Sequence, residues 1–187
     1  MAHVILSEWL SPGSLATGKK RHLVFTSSVL AFYTIAGYGP YSPAKTALRS
    51  LTDTLSQEIL LYTRDVKVHN IFPGSIQSPG FVIEQQTKPE ITKILEKSDP
   101  IESPEEVARQ SVRGLEKGQY MIVVNFLGAA MRSCAWGGSH RNNWFIDTLM
   151  MWVASLAWIF IQWDLDGKVV AYGKKHGHPS TYTEGRE

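Results

Sequence analysis

Runs and periodicities of apolar residues divide the chain into a short series of elements. Residues 4–10 (VILSEWL) read as the last turns of a helix, followed by a Ser/Gly-bearing loop that leads into the basic run Lys19-Lys20-Arg21. His22 to Thr26 is a continuous apolar run, the pattern of a short strand covered on both faces. After a Gly/Tyr-rich loop to Pro40, residues 41–61 carry Ala44, Ala47, Leu48, Leu51, Leu55 and Ile59 at helical spacing. Val66 to Phe72 is a second strand, stopped by Pro73-Gly74. A helix is predicted near 81–97. Ser103-Pro104-Glu105-Glu106 starts another, because serine caps, proline suits the first turn and acids favour the positive end of the dipole. That helix should stop at Gly118. Tyr120 to Val124 is a third strand, and the stretch from Met121 to Met131 reads as that strand running into a small-residue loop.

Strand, helix, strand, loop, helix, strand is the order of an α/β fold with crossover helices between parallel strands. A nucleotide-binding domain of that class opens with a strand, a glycine-rich turn and a helix. Neither G-x-G-x-x-G nor G-x-x-x-G-x-G occurs in this sequence. The pattern therefore predicts the C-terminal part of a Rossmann-type parallel sheet over 1–125, a connecting segment over 126–143 and a polar tail over 164–187.

The remaining stretch, 144–163 (WFIDTLMMWVASLAWIFIQW), changes the picture. It holds four of the six tryptophans and a single formal charge, Asp147. As a helix it would be about 30 Å long, close to the hydrocarbon thickness of a bilayer. Trp144 and Trp163 fall at its ends, where amphipathic rings favour the interface, and Asp147 and Gln162 also lie near the ends. A membrane-associated or transmembrane helix is predicted, with a buried or interfacial helix packed on the sheet or on a partner as the other reading.

Composition narrows the chemistry. With 43% hydrophobic residues, 19% charged and a net charge of +2, the chain has material for a core and no cationic surface for nucleic acid. A single cysteine, Cys134, forms no internal disulfide, and no Cys/His cluster has the spacing of a metal site. His69 on the second strand reads as a satisfied core histidine, and His176 and His178 as parts of a solvated tail.

Candidate chemistry gathers around Tyr41. Tyr41-Ser42-Pro43-Ala44-Lys45 puts a phenol and an ammonium four residues apart on one helix face. A cation favours phenolate and so lowers the pKa of a neighbouring tyrosine, which can then give a proton to a carbonyl oxygen as hydride reaches its carbon. Alone this spacing is a weak signal. Ser28, thirteen residues earlier, stands at the end of the first strand, where open α/β sheets meet their ligands, and can hold a substrate oxygen from the other side. The second strand ends in Pro73-Gly74-Ser75-Ile76-Gln77-Ser78, a loop whose glycine lets backbone approach a ligand. Tyr33 and Tyr38 lie between Ser28 and Tyr41, either lining the entrance or packing on the helix.

These residues together resemble the short-chain dehydrogenase/reductase superfamily: a strand ending in T-S-S, then Y-x-x-x-K, then P-G-x-I-x-S where that family usually has threonine last. The resemblance covers about residues 4–125. It implies Tyr41 as general acid, Ser28 orienting the carbonyl, and Lys45 on the nicotinamide ribose and tuning Tyr41. It also implies that Pro73, Gly74, Ile76 (through its backbone) and Ser78 hold the carboxamide end of the cofactor. Within the superfamily, PYSPAKTALRSLTDTLSQE and PGSIQSPGFVIEQQTKPEITKILE are similar to the 3-ketodihydrosphingosine (3-dehydrosphinganine) reductases. That resemblance implies NADPH-dependent reduction of a long-chain sphingoid ketone in sphingolipid biosynthesis. It implies residence on the endoplasmic reticulum membrane with the catalytic part facing the cytosol, and the helix of Tyr41 and Lys45 as a candidate homodimer contact. Two alternatives stand beside it: another membrane-associated short-chain reductase, acting on steroid, retinoid or fatty-acyl ketones, or an incomplete unit serving only for interaction. Without the glycine-rich half, residues 1–187 alone are expected neither to bind NADPH tightly nor to reduce a ketone. The segment from Arg141 onward is expected to matter more for membrane attachment than for chemistry, since the catalytic residues precede Ser78.

Overall fold

The structure, a computed structural model, describes residues 2–136 and 141–176. Its elements are α1 (Ala2–Trp9), α2 (Pro12–Leu15), β1 (Arg21–Thr26), α3 (Tyr41–Glu58), β2 (Val66–Phe72), β3 (Ser75–Ile76), α4 (Pro79–Thr87), α5 (Glu90–Leu95), β4 (Ile101–Glu102), α6 (Pro104–Glu116), β5 (Met121–Val123), α7 (Phe126–Cys134) and α8 (Trp144–His176). Single 3₁₀ turns follow β1 (Val29–Ala31) and α3 (Ile59–Leu61). The three predicted strands form one parallel sheet in the order β1-β2-β5, with Arg21 opposite Val66 and Asn70 opposite Met121. Parallel neighbours need crossovers, which α3 and α6 supply. The short pair β3-β4 is a second, separate ladder.

Two apolar clusters lie either side of the sheet's length. Leu6, Leu23, Ile59, Val66 and Val68 form one, with α1 packed on it through Ile5 and Trp9. Ala31, Phe72, Tyr120, Met121 and Trp136 form the other. In the second half of β2, Asn70 is fully buried and donates to Thr52 Oγ1 at 2.9 Å, pinning α3 to the sheet. α3 is tied down by Ser42, Thr52 and Ile59 rather than by its whole apolar stripe: Ala44, Ala47 and Leu51 face outward. α6 starts on the Ser103 cap, which accepts from Glu106 N, and stops at Gly118 with φ +68°, as predicted.

Four expectations are corrected. β1 is buried on one face only: His22, Val24 and Thr26 are exposed at alternate positions. The helix expected over 81–97 is two helices. Pro89 has no N–H to continue α4 and drives Lys88 to extended backbone (φ −65°, ψ 131°). The small-residue loop after β5 is the helix α7. Asn125 caps it by accepting from Gly128 N at 2.7 Å, and Gly128 lets it approach Val29 and Val123. The helix that begins at Trp144 runs through Gly167 to His176, 33 residues, where a polar tail was expected from 164. A Lys168–Asp164 pair at 2.7 Å, four residues apart, supports its polar end. His178, residues 137–140 and the Gln162 side chain lie outside the described residues.

α8 packs on α7 and α5 through a narrow stripe. Asp147 and Ala154 are buried, and Met151, Trp158 and Leu165 are half-buried. Asp147 accepts from Asn143 N at 2.9 Å and faces Arg132 at 3.6 Å, and Arg132 in turn lies over the buried Trp136 ring. The opposite face, with Phe145, Leu149, Trp152, Leu156, Ile159 and Trp163, is exposed. Among the described residues α8 is the one helix long and apolar enough to cross a membrane.

Candidate active site

The carboxyl ends of β1, β2 and β5 meet, and backbone hydrogen bonds lock the junction. Ser27 N donates to Ile71 O at 2.8 Å and Val29 N to Pro73 O at 3.0 Å, so the turn carrying Ser28 is fixed to the Pro73-Gly74 loop. Ser27 Oγ donates to Lys45 O at 2.9 Å, which seats the first turn of α3 against the end of β1. Tyr41 is the first residue of that turn and Lys45 lies one turn on. Local sequence thus makes the pair, and Ser27 places it.

A cavity of about 920 Å³ opens at this junction. Ser28, Tyr41, Pro73, Gly74, Ile76 and Ser78 all line it. Lys45 stands outside the lining, its Nζ 5.4 Å from the centre of the Tyr41 ring. Ser28 is buried and its oxygen accepts from Leu30 N at 3.2 Å, which leaves its O–H as a donor toward the cavity. Ser78 caps α4 by accepting from Phe81 N and likewise keeps its proton. Gln77 N donates to Glu102 O at 2.9 Å. Successive amides on a strand point to opposite edges, so the Ile76 N–H is turned away from β4 and open to a ligand.

One wall is polar and charged. Tyr38, its ring 5.5 Å from that of Tyr41, donates toward Glu84 (2.9 Å) and Glu96 (2.7 Å). Buried Lys88 bridges the same two carboxylates at 3.0 and 2.5 Å. Burial, then the Glu96 and Glu84 contacts, raise Tyr38 far above the ordinary range for a phenol, so it is a fixed donor. Burial pulls Lys88 down, and its two carboxylates more than reverse that, leaving a net rise. Asp99 is pushed up to about 6 by burial and by Glu96. Tyr33 is pushed up to about 12, by burial and then by Asp99 and Asp166.

The far wall comes from a part of the chain that carried no site residue in the sequence reading. Trp158, Ile161 and Leu165 of α8 line the cavity, and Trp158 meets Tyr33 edge to face with ring centres 5.0 Å apart. Asn125 lines it too, donating to Glu102 Oε1 at 2.9 Å. A helix-capping signal (Asn125 before Phe126-Leu127-Gly128) could have been read from sequence; nothing local marks Trp158. α8, expected to matter more for membrane attachment than for chemistry, also supplies a wall of the cavity.

A family model described as short chain dehydrogenase matches residues 2–89. It is 48% identical to a 3-ketodihydrosphingosine reductase of Neurospora crassa over 97% of its own length, and 46% identical to one of Aspergillus fumigatus over 98%. These matches cover 51% and 54% of the relatives, so the chain spans about half the length of the curated proteins it matches. A crystal structure of a short chain dehydrogenase from Burkholderia cenocepacia J2315, described as in complex with NADP, superposes with a TM-score of 0.50 at 16% identity. It covers 67% of this chain and 48% of that one, and shows the shared fold.

Proposed function

We propose that this chain forms the catalytic half of an NADPH-dependent 3-ketodihydrosphingosine reductase, which reduces the ketone of a long-chain sphingoid base to sphinganine. The observation that supports it most is one cavity lined by Ser28, Tyr41 and the Pro73–Ser78 loop and continued by a largely apolar wall on α8. The donor set fits the nicotinamide end of a dinucleotide: the Ser78 hydroxyl and the outward Ile76 N–H suit a carboxamide, and Gly74 has no side chain within the approach. A reduced nicotinamide supplies hydride to the carbonyl carbon when bound. Ser28 donates a hydrogen bond to the carbonyl oxygen and fixes it against Tyr41. The Tyr41 hydroxyl transfers its proton to that oxygen as the carbon is reduced, yielding the alcohol. The Lys45 ammonium, 5.4 Å from the ring centre, stabilises the charge left on the phenol and reaches toward the ribose.

A lipid substrate also gives the apolar α8 surface a use. We place the outer face of α8 in the endoplasmic reticulum membrane with the catalytic part on the cytosolic side, and a homodimer contact on the exposed Ala44, Ala47 and Leu51 of α3. The test is Tyr41→Phe in the full-length protein. The ring stays, so cofactor binding should persist while ketone reduction falls at least ~10²-fold. Turnover at the wild-type rate would remove the mechanism.

A further inference from the structure

We propose that Trp158 of α8 determines substrate specificity by bearing on the hydrocarbon chain of the ketone, so that the helix facing the membrane is also a wall of the substrate site. This rests on the sphingoid-ketone reading above. The two faces of α8 are distinct. Asp147, Met151, Ala154, Trp158 and Leu165 recur every three or four residues, or every seven, on the side turned to the domain. The first three are fixed on α7 and the Trp136 cluster, through the Asp147–Arg132 pair and Met151. The last two lie over the cavity, with Trp158 held from the side by Tyr33.

That cavity is graded. At the strand ends it presents the Ser28, Tyr41 and Ser78 hydroxyls, and under α8 it presents Trp158, Phe160, Ile161 and Leu165 together with Asp164 and Lys168, which neutralise each other in a 2.7 Å pair. About 920 Å³ is at the upper end of the range for sites that enclose a small molecule, which fits a ligand with a polar head and a long apolar tail. Trp158 stands where such a tail would pass. Its ring is half-buried and braced edge-on by Tyr33 at 5.0 Å, so its position is set by the domain and not by the membrane.

The test compares a short-chain, water-soluble 3-ketone with the long-chain sphingoid ketone, both assayed with the full-length protein in mixed micelles of fixed composition. Trp158→Ala should raise KM for the long-chain ketone roughly tenfold, the range for lost apolar contact in a pocket, and leave the short-chain KM and both kcat values near wild type. Trp158→Phe should recover most of the loss. Leu156→Asn, on the outer face, should keep the wild-type ratio between the two substrates. Thermal melting of each variant reports folding. A folded Trp158→Ala protein with wild-type KM for both ketones, or with equal loss on both, overturns the proposal; so does a Leu156→Asn variant that changes the ratio as much. A wild-type protein that reduces neither ketone strikes down the reading of the reaction itself and takes this inference with it.

Discussion

Ser28 and Lys45 divide the work around Tyr41 differently, and substitution should separate them. Ser28→Ala removes a donor to the reacting oxygen and leaves the cofactor side intact, so the rate should fall by about 10²–10³ with little change in cofactor affinity. Lys45→Met should lower both together; loss of affinity alone would leave Lys45 no part in proton transfer. His69 offers a different residue-scale test. Its Nδ1 lies 2.6 Å from Gln119 O, so Nδ1 carries the hydrogen, and Nε2 must accept from His22 Nδ1 at 2.8 Å. Burial, with His22 and Lys67 nearby, lowers the pKa of His69 below its ordinary 6.5 against the raising effect of the Gln119 bond. Its folded value is depressed, so the stability it contributes is fully present above 6.5 and is lost as the pH falls below it. Thermal melting from pH 7.5 downward should show this acid loss, and His69→Gln should flatten it. An unchanged slope in that variant would remove the histidine pair as its cause. The residues that could be read from sequence are those fixed locally: Tyr41 and Lys45 by one helical turn, Ser28 by a strand end, Ser78 by the loop after one. Trp158 could not be read, because only tertiary packing brings it to Tyr33, 125 residues back in the chain.

Elements were legible where one periodicity governed them, and less so where a single residue interrupts it or long-range packing extends it. β1, β2, α3 and α6 stand close to their predicted places, whereas Lys88-Pro89 splits the next helix and Asn125 starts one where a loop was expected. The loop between Ser28 and Tyr41 shows how α5 enters the site. Thr92, buried on α5, donates to Ala36 O at 2.8 Å, and Gly37 turns beside it with φ +100°. A Cβ on Gly37 would fall 1.9 Å from Thr92 Oγ1, a side chain with no room to retreat while it holds Ala36. Gly37→Ala therefore combines a steric conflict with a backbone conformation that costs about 1–3 kcal/mol. It should lower thermal stability and weaken activity by shifting Tyr38 and Tyr41; a melting temperature equal to wild type would show that the loop adapts freely. Thr92→Ser, which keeps the hydrogen bond, should be mild by comparison.

At the scale of the molecule, the question is what holds α8 where it is. Its inner stripe is anchored by protein: Asp147 to Arg132, Met151 to the Trp136 cluster and Trp158 to Tyr33. Its outer stripe is exposed, and an apolar face that large, rimmed by tryptophans, fits the membrane contact proposed above. A helix lying along the bilayer surface satisfies both stripes at once, whereas one crossing the bilayer would have to pull the inner stripe off the domain and expose Asp147 to hydrocarbon. Truncation at Arg141 is thus a poor test of membrane attachment, since it unroofs the cavity and bares α7 together with any anchor. Changing the outer face alone is a clean one. Leu149→Gln, Trp152→Gln, Leu156→Gln and Ile159→Gln combined should move the full-length protein from the membrane pellet toward the soluble fraction. The melting temperature should hold within a few degrees, because no contact with α7 or α5 is altered. Activity on a short-chain ketone should also persist, since none of the four lines the cavity. If the quadruple variant still pellets with membranes, another surface anchors the protein; if it unfolds, the outer face is packed against protein and α8 lies inside a larger assembly.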